Sequence, residues 1–466
     1  MTPDELLAIG DSIIAGARPG EAVEAVITWS RDTEARAYDG EIEAFTSAES
    51  AGVGVRVVAD GQLGFAYAGS LDPDIVGEVL EEARDNATFA TADPTAGIAE
   101  PDGVAIPTLE LTDERLIGAL TDDKLALVLK LEARVRELDD RIVGVESVDY
   151  GDTHSIGAVV STAGIRTATV ETACSLVASV LAADGDDMTT GFGFSVGRHP
   201  GSLDLEQCAV DAVNRAVRMI GATPMPTQRC TVIFDPWVTA QFIGIVADMF
   251  SGDSVVKGRT PFGDRLGEMV ASEVVTLVDD PTDARHWGAT DTDAEGLASR
   301  RTPLIEAGRA KAFLHDSTTA RQAGATSTGS AVRNGYRSTP VPGAQAIVLQ
   351  PGTATPDELL ALVGDGVLVQ EVSGLHSGVN PISGDFSTGI EGVRIRNGRL
   401  AEPIREVTIG STIQKMLTNV VAVGNDLEFF PMEAAGVSLV ISDVTISGGG
   451  ADDGAGGGAD DGADDE

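Results

Sequence analysis

The sequence predicts an α+β fold with two domains, and three observations support this prediction. The chain has 466 residues, which exceeds the size at which a single hydrophobic core usually stops growing. Helical and strand-like patterns come in blocks and do not alternate strictly, which favours α+β over a parallel doubly wound sheet. Repeated turn signals between strand-like segments indicate antiparallel pairing. We therefore expect an N-terminal domain of helices with an antiparallel sheet at residues 1–222 and a strand-rich C-terminal domain at residues 228–447.

The first elements of the N-terminal domain have clear start and turn signals. Thr2 and Glu5 can form a capping box, with a proline at the first helical position, so a helix is expected to start there. Residues 22–69 have a strand-like composition, and Asp60-Gly61 supplies the positive φ angles that a two-residue hairpin turn requires. Residues 73–84 place their apolar side chains on one face, which predicts a second helix.

The rest of this domain is predicted from composition and spacing. Residues 86–112 are rich in alanine, proline, aspartate and threonine, so we expect a surface connection. A helix at about 122–138 precedes a run of strands at 141–195, broken by glycine-containing turns, which predicts an antiparallel meander. The helix at 203–220 places Cys208 on its apolar stripe, so that cysteine is expected to be a small core residue.

Two prolines mark the domain boundary at residues 223–227, since proline interrupts both a helix and a β-ladder. The N-terminal domain thus has two segments, at about 20–90 and 118–222. The C-terminal domain opens with a strand at 230–234 and a helix directly after it. Its later predicted elements are strands at 345–350, 367–372, 393–396 and 437–446 and a helix at 356–363. The tail at 448–466 consists of glycine, alanine and acidic residues, so it is predicted to be disordered.

The charge of the chain is strongly acidic. It has 73 acidic and 32 basic residues, a net charge of −41 at neutral pH. Such a surface repels nucleic acid and anionic membranes, so we expect neither as a partner. A salt-rich cytosol, as in a halophile, is the environment that this charge indicates, because salt screens the repulsion. The three cysteines form no CxxC pair, and no apolar run approaches the length of a membrane-spanning helix, so the sequence predicts a soluble cytoplasmic protein.

Nucleophilic catalysis has weak support in the sequence. Residues 193–197, Gly-Phe-Ser-Val-Gly, match the G-x-S-x-G pattern, but a nucleophile elbow needs a helix directly afterwards and Pro200 disfavours one. His376 and Ser377 are adjacent, and adjacent side chains rarely face each other productively; bonding within their own loop is the simpler interpretation. Phosphate-binding glycine loops are absent from the sequence, so nucleotide binding has no support.

The sequence gives little support for a metal site or for a charged partner. None of the five histidines lies within a helical turn or two of another, whereas a zinc site needs three or four protein ligands. The chain also has a local concentration of arginines, for which ordinary ion pairing is the simpler interpretation and an acidic patch on a partner is the alternative. These arginines are Arg333, Arg337, Arg394, Arg396, Arg399 and Arg405.

The most informative segment is at residues 374–387, Gly-Leu-His-Ser-Gly-Val-Asn-Pro-Ile-Ser-Gly-Asp-Phe-Ser. It places four glycine or proline residues among polar side chains directly after the strand at 367–372, a pattern typical of a functional loop. This loop resembles a signature of the TldD/PmbA peptidase family, in its PmbA (TldE) branch. Residues 52–60 resemble the glycine, arginine and strand pattern of the family's first segment. Five further motifs occur in the family's order: Ser299-Arg-Arg-Thr-Pro-Leu-Ile-Glu306, Leu314-His-Asp-Ser-Thr-Thr-Ala-Arg321, Ser327-Thr-Gly-Ser330, Arg405-Glu-Val-Thr-Ile409 and Val423-Gly-Asn-Asp-Leu-Glu428.

The resemblance implies that this chain has lost the family's zinc site. The catalytic branch carries a His-Glu-x-x-x-His helix, whose three functional positions fall here on Ile243, Gly244 and Asp248. The family's cysteine ligand near the C-terminus has no counterpart either, since no cysteine follows Cys230. This chain is therefore expected to bind no cofactor, and zinc is expected in a TldD-like partner subunit.

The function implied by the resemblance is that of the non-metal subunit of a TldD/TldE-type metallopeptidase, which degrades or processes unfolded peptides. The two chains of such a complex enclose a cavity. The loop residues His376, Ser377, Asn380 and Asp385 are the candidates for contact with peptide or partner. Two alternatives stay open: a homo-oligomeric peptide-binding or gyrase-modulator-type protein without protease activity, for which a homodimer is expected when the chain is alone, and an autonomous hydrolase.

Overall fold

The computed structural model describes residues 1–448, and the architecture is α+β. The predicted disordered tail at 448–466 lies outside the described residues, apart from Gly448, which ends the last strand. The helices are α1 (Pro3–Ala15), α2 (Pro73–Phe89), α3 (Glu114–Ile117), α4 (Thr121–Leu138), α5 (Leu205–Arg218), α6 (Pro236–Met249), α7 (Gly252–Val256), α8 (Ser317–Ala323), α9 (Pro356–Val363), α10 (Leu375–Gly378) and α11 (Ile413–Thr418), with short 3₁₀ turns at Pro200–Ser202 and Gly335–Arg337.

The first six strands form one antiparallel sheet in the order β3-β2-β1-β4-β5-β6. The predicted hairpin turn is present between β2 and β3, with positive φ at both Asp60 and Gly61. The meander predicted over residues 141–195 is also present, as β4, β5 and β6. The strands of this sheet are β1 (Ala22–Tyr38), β2 (Glu41–Ala59), β3 (Gln62–Ala68), β4 (Ile142–Ser161), β5 (Arg166–Asp184) and β6 (Asp187–Gly197).

Alternation along the strands gives this sheet two different faces. In β1 the odd-numbered residues from Ala25 to Ala37, except the half-buried Arg31, are buried on the face that carries α1, α2, α4 and α5. The even-numbered Val26, Thr28 and Ser30 point to the other face, because successive side chains of a strand alternate. That face has no helix of the N-terminal half on it and is turned toward the C-terminal half of the chain. The sheet therefore presents a largely polar wall to the interior of the molecule.

The C-terminal half is built around a closed ring of strands. β16 pairs with both β15 and β19, so the order β16-β15-β14-β7-β19 closes on itself, and α6 lies in the large core beside it. A smaller sheet has the order β10-β9-β8-β13-β18, and β11 pairs with β12. These strands are β7 (Gln228–Phe234), β8 (Leu277–Asp279), β9 (Thr302–Glu306), β10 (Arg309–Ala310), β11 (Ala331–Val332), β12 (Val341–Pro342), β13 (Ile347–Leu349), β14 (Gly366–Ser373), β15 (Asp385–Arg396), β16 (Arg399–Thr412), β17 (Val420–Val423), β18 (Ala434–Ala435) and β19 (Leu439–Gly448).

Several predicted boundaries differ from the structure. The second helix continues to Phe89, five residues beyond its predicted end. The connection predicted to lie on the surface buries Ile98, Ala99 and Leu111, and its carbonyls at residues 95, 97 and 98 accept hydrogen bonds from Arg321. The connection is thus anchored to the C-terminal half, which its polar composition did not indicate.

The G-x-S-x-G pattern has a structural explanation. Its residues lie within β6, and Ser195 accepts a hydrogen bond from the backbone N–H of Asp204 at 2.8 Å. A Cβ at Gly193 would lie 2.0 Å from the carbonyl oxygen of Cys208. The glycine therefore allows α5 to pack directly on the strand, and Cys208 is fully buried in that core, as predicted.

Within residues 1–448, no helix is both long and apolar enough to cross a membrane.

Candidate functional site

A cavity of about 1320 Å³ lies between the helix-free face of the N-terminal sheet and the C-terminal half of the chain. This volume exceeds the roughly 300–1,000 Å³ of typical small-molecule pockets. One wall is formed by β1, β4 and β5, and the opposite wall by α6 with the segments at 288–294 and 331–347. The cavity is large enough for a stretch of polypeptide rather than a single small ligand.

The sheet wall of the cavity is rich in hydroxyl groups. The register places Ser30, Ser155 and Glu171 side by side across three strands, and Thr28 and Thr169 next to them on the same face. Serine and threonine hydroxyls both donate and accept hydrogen bonds. This wall can therefore accept hydrogen bonds from backbone N–H groups and donate them to backbone C=O groups, whatever side chains the bound peptide carries.

The helical wall contains two of the three positions at which the sequence predicts a lost zinc site. Gly244 and Asp248 line the cavity, one helical turn apart, whereas Ile243 is 2% exposed and packs in the core on another side of α6. Glycine offers no side chain and isoleucine no donor atom, so the donor set here does not fit zinc. Among residues 1–448, no three His, Cys, Asp or Glu side chains come together as a metal-binding group.

The walls of the cavity are acidic. Burial and the nearby Glu295 together raise the pKa of Asp293 to about 7, although three backbone N–H groups bond to its carboxylate. Burial also raises the pKa of Glu171, and burial together with Glu433 raises that of Asp248. Among the described residues, four carboxyl groups and one arginine line the cavity, so its charge becomes negative where these carboxyls ionise, which disfavours anionic ligands.

A buried ion-pair network joins the N-terminal sheet to the C-terminal half beside this cavity. Arg56 of β2 bonds to Glu24 of β1, with 3.0 Å between Nε and Oε1, and to Glu295, with 3.1 Å between Nη2 and Oε1. Arg333 bonds to Glu24 from the other side, and Ser317 donates to Glu295 at 2.7 Å. Burial opposes ionisation of Glu24, yet Arg333 and Arg56 lower its pKa. The network contains two carboxylates and two guanidinium groups, so its net charge is zero. A buried charge is stable only when an opposite charge compensates it.

Tyr336 lies on the edge of the cavity and packs on the sheet at Gly52. A Cβ at Gly52 would lie 2.3–2.5 Å from three carbon atoms of the Tyr336 ring. The ring is 8% exposed and also contacts Tyr67 edge-on, with 6.2 Å between ring centroids. The glycine and arginine at residues 52 and 56 therefore both serve the junction between the two halves of the chain.

The predicted contact residues of the 374–387 loop do not line the cavity. His376 and Ser377 lie in the exposed α10 turn, Asn380 accepts bonds from the backbone N–H groups of residues 382 and 383, and Asp385 begins β15. Ser377 donates to the Gly374 carbonyl at 3.3 Å. Ser377, Asn380 and Asp385 thus form hydrogen bonds within their own loop. Contact of this loop with a peptide or partner stays a prediction, and it concerns an outer surface of the molecule.

The concentrated arginines are mostly engaged in ion pairs. Arg405 bonds to Asp187 of the N-terminal sheet at 2.9 Å, and Arg394 and Arg396 both face Glu402. With Arg333 paired to Glu24, four of the six bind acidic groups of the same chain. Arg337 stacks on Tyr336. The ion-pairing interpretation is confirmed for the four arginines that bind acidic groups.

A second buried polar cluster lies where α5 meets β14. Arg215 of α5 forms an ion pair with Asp235 at 2.9 Å and donates to the carbonyl of Gln370 at 3.1 Å. Burial raises the pKa of Asp235 to about 6 and that of Glu371 to about 7. Oε2 of Glu371 has no hydrogen-bond partner among the described residues. This cluster forms another junction between the two halves of the chain.

Sequence reasoning missed most residues of the cavity. Glu24, Glu295 and Tyr336 carry no motif of their own, and their partners are 32 to 309 positions away in the chain. The sequence pattern that pointed to this region was the glycine and arginine pattern at residues 52–60. Its glycine and arginine residues lie on β2, the strand that contacts Glu24, Glu295 and Tyr336.

Comparison with known proteins gives matches over most of the chain. Family models described as PmbA/TldA metallopeptidase domain 1, central domain and C-terminal domain match residues 23–87, 115–220 and 227–448. The metalloprotease PmbA of Escherichia coli O157:H7 is 26% identical over 390 residues, which is 84% of each chain. A metalloprotease of Methanothermobacter thermautotrophicus is 28% identical over 414 residues, covering 85% of this chain and 86% of the relative.

Solved structures share the whole fold. TldE from Thermococcus kodakarensis superposes with a TM-score of 0.86 at 24% identity, over 96% of this chain and 99% of the other. A Thermotoga maritima protein described as a modulator of a DNA gyrase gives a TM-score of 0.84 at 25% identity, over 95% and 99%. The three matched models follow one another along the chain in order and leave only short segments unmatched before residue 449. The chain therefore belongs to the PmbA/TldD metallopeptidase family.

Proposed function

We propose that this chain is the non-metal subunit of a two-chain peptidase that acts on unfolded peptides. The observation that supports the proposal is the combination of a large cavity, whose sheet wall is rich in hydroxyl groups, with a helix, α6, that lacks zinc ligands where the catalytic branch is expected to have them. Catalysis would then require a TldD-like subunit that carries the zinc. The relatives of the present chain include a metalloprotease TldD homolog from Buchnera aphidicola, 24% identical over 390 residues.

In this proposal the chain contributes binding and not bond cleavage. The hydroxyl-rich wall formed by β1, β4 and β5 can bond to peptide backbone, and the acidic residues of the cavity favour neutral or cationic segments. The acidic surface and the three unpaired thiols fit a reducing, salt-rich cytoplasm, where we place the complex.

The decisive experiment uses the full chain and a TldD-like chain from the same genome, separately and mixed. An unstructured 12-residue peptide of alanine, serine and threonine with two lysines serves as substrate. We expect chelator-sensitive cleavage by the mixture, and no stoichiometric zinc in this chain by elemental analysis. Tight zinc and chelator-sensitive cleavage by this chain alone would overturn the proposal. A TldD-like chain that is fully active alone and never associates would favour the stand-alone binding alternative.

A substitution within the cavity tests its role directly. A Cβ at Gly244 meets nothing within 4 Å, so Gly244→Phe places a bulky ring in the cavity without disturbing α6. We expect this variant to raise the KM of the mixed enzyme for the 12-residue peptide at least about tenfold, an interaction loss of ~1.4 kcal/mol. Gly77→Phe is the matched control, because Gly77 lies in α2 with equally open surroundings and far from the cavity.

A further inference from the structure

The first half of β2 is an open strand edge. β2 pairs with β1 along its whole length, but β3 pairs only with residues 53–59 on the other side. Among the described residues no strand pairs with the outer side of residues 41–52. All side chains from Glu43 to Ser50 are exposed on both faces of the strand. Proteins usually protect such edges, because unpaired N–H and C=O groups bind any extended chain.

This edge is regular and long enough for a bound strand. The register with β1 is continuous from Ala44 to Val58, with the irregularity lying nearer the hairpin tip. The nine residues from 44 to 52 span about 30 Å at the usual rise per residue. Neither proline nor lysine occurs in this stretch, although both are common means of blocking an edge.

The edge leads directly to the cavity. Ser50, near its end, lines the cavity and lies 2.9 Å from Ser30, measured between the Oγ atoms. Two positions further on, the Tyr336 ring packs on Gly52 and closes the edge before β3 begins. A strand bound along residues 44–51 would therefore have one end at the cavity mouth.

The charge around the edge indicates what it would accept. Residues 31–50 contain six acidic and two basic side chains. One of the two basic groups, Arg36, is bonded to Asp149 at 2.6 Å. The acidic Glu43 and Glu49 flank the regular stretch and are exposed. The local field thus favours a cationic chain and disfavours a second copy of this acidic edge.

We propose that residues 44–51 of β2 bind an extended cationic peptide by strand addition and direct it into the cavity. This inference rests on the proposed role in peptide handling and names the site where the peptide first binds. Recognition by main-chain hydrogen bonds does not depend on the peptide's sequence, which suits unfolded substrates. Apart from Phe45 and Glu49, the side chains of residues 44–51 are small, so they leave room for varied residues on the bound strand.

Hydrogen exchange measured by mass spectrometry tests this proposal. The probe is the same 12-residue peptide with two lysines, and the control probe carries N-methyl groups on consecutive amides, so that neither edge of the strand can donate hydrogen bonds to β2. We expect exchange within residues 42–51 to slow by about tenfold or more with the first peptide only, since hydrogen bonding protects amides. Protection confined to other segments, such as 374–384, would overturn the proposal while leaving a peptide-binding function intact. Protection of 42–51 that depends on protein concentration without peptide would also overturn it, in favour of pairing between chains.

Paired variants separate backbone from side-chain recognition. Adjacent residues of an edge strand direct their N–H groups to opposite sides. One of the two variants Thr46→Pro and Ser47→Pro therefore removes an N–H donor that points outward from the sheet. The other variant removes a hydrogen bond to β1. We expect the outward variant to keep its Tm and to bind the peptide at least about tenfold more weakly. Thr46→Ala and Ser47→Ala are the matched controls and should bind like the unmodified chain. Unchanged binding in both proline variants would overturn the proposal. This test needs no TldD-like chain, so it stands apart from the cleavage assay.

Discussion

Arg56 of the N-terminal sheet and Glu295 of the C-terminal half form an ion pair of 3.1 Å in which both side chains are at most 2% exposed. The pair joins segments 239 positions apart. Arg56 also bonds to Glu24, so one guanidinium contacts two buried carboxylates beside the cavity, and Arg333 supplies the second positive charge. The position of the cavity walls relative to each other depends on this contact.

Replacing this guanidinium should strongly destabilise the chain. Arg56→Met leaves Glu24 without one of its two cations and Glu295 with none, and removing one partner of a buried ion pair typically costs about 3–5 kcal/mol. Urea denaturation in molar salt measures the loss. Arg134→Met is the matched control, because Arg134 and Glu206 are 33% and 58% exposed and such pairs contribute about 1 kcal/mol or less. Similar losses in the two variants would contradict the structural role assigned to Arg56.

The close contact between Gly52 and Tyr336 gives a second prediction. Gly52→Ala places a methyl group within the Tyr336 ring, so we expect a loss of about 1–3 kcal/mol in the free energy of unfolding, as for other overpacked sites. The same substitution at Gly77, in the open middle of α2, should be neutral or stabilising by about 1 kcal/mol. In the double variant Gly52→Ala/Tyr336→Ala, part of the loss should be recovered. A strictly additive double variant would show that the two residues do not interact.

Glu371 should make stability depend on pH. Burial raises its pKa in the folded chain to about 7, above the ordinary value of about 4.3. Between these values the folded chain holds a proton that the unfolded chain has lost, so stability falls as pH rises through this interval and levels off above about 7. Glu371→Gln should reduce the slope by up to ~1.4 kcal/mol per pH unit. Urea melts at pH 5, 6 and 7 measure it, and an unchanged slope would contradict the buried neutral carboxyl.

Salt should control thermal stability. The net charge of −41 is spread over a chain whose acidic groups outnumber its basic groups more than twofold. Repulsion among them acts over a Debye length that grows from about 3 Å at 1 M to about 30 Å at 0.01 M ionic strength. Calorimetry should therefore show a markedly lower Tm after desalting, whereas added sucrose at low salt should not substitute for the screening. Equal Tm values in molar and millimolar salt would contradict this expectation.

The sequence by itself determined the fold class, the family and most helices and strands. Capping residues such as Thr2, turn residues such as Asp60-Gly61 and the alternation along strands act over a few neighbouring positions, so they can be recognised locally. The same locality allowed the prediction that zinc ligands are missing at Ile243 and Gly244, because all the relevant positions lie on one helix.

Only the tertiary structure decided which residues form the cavity and what holds its walls together. Glu24, Glu295 and Tyr336 come from distant segments, and their roles depend on contacts that no local pattern encodes. The loop at 374–387 shows the converse: its motif is distinctive, but the fold places it on an outer surface away from the cavity. Short-range signals specify elements, whereas a site made by packing two halves of a chain depends on long-range burial and charge balance.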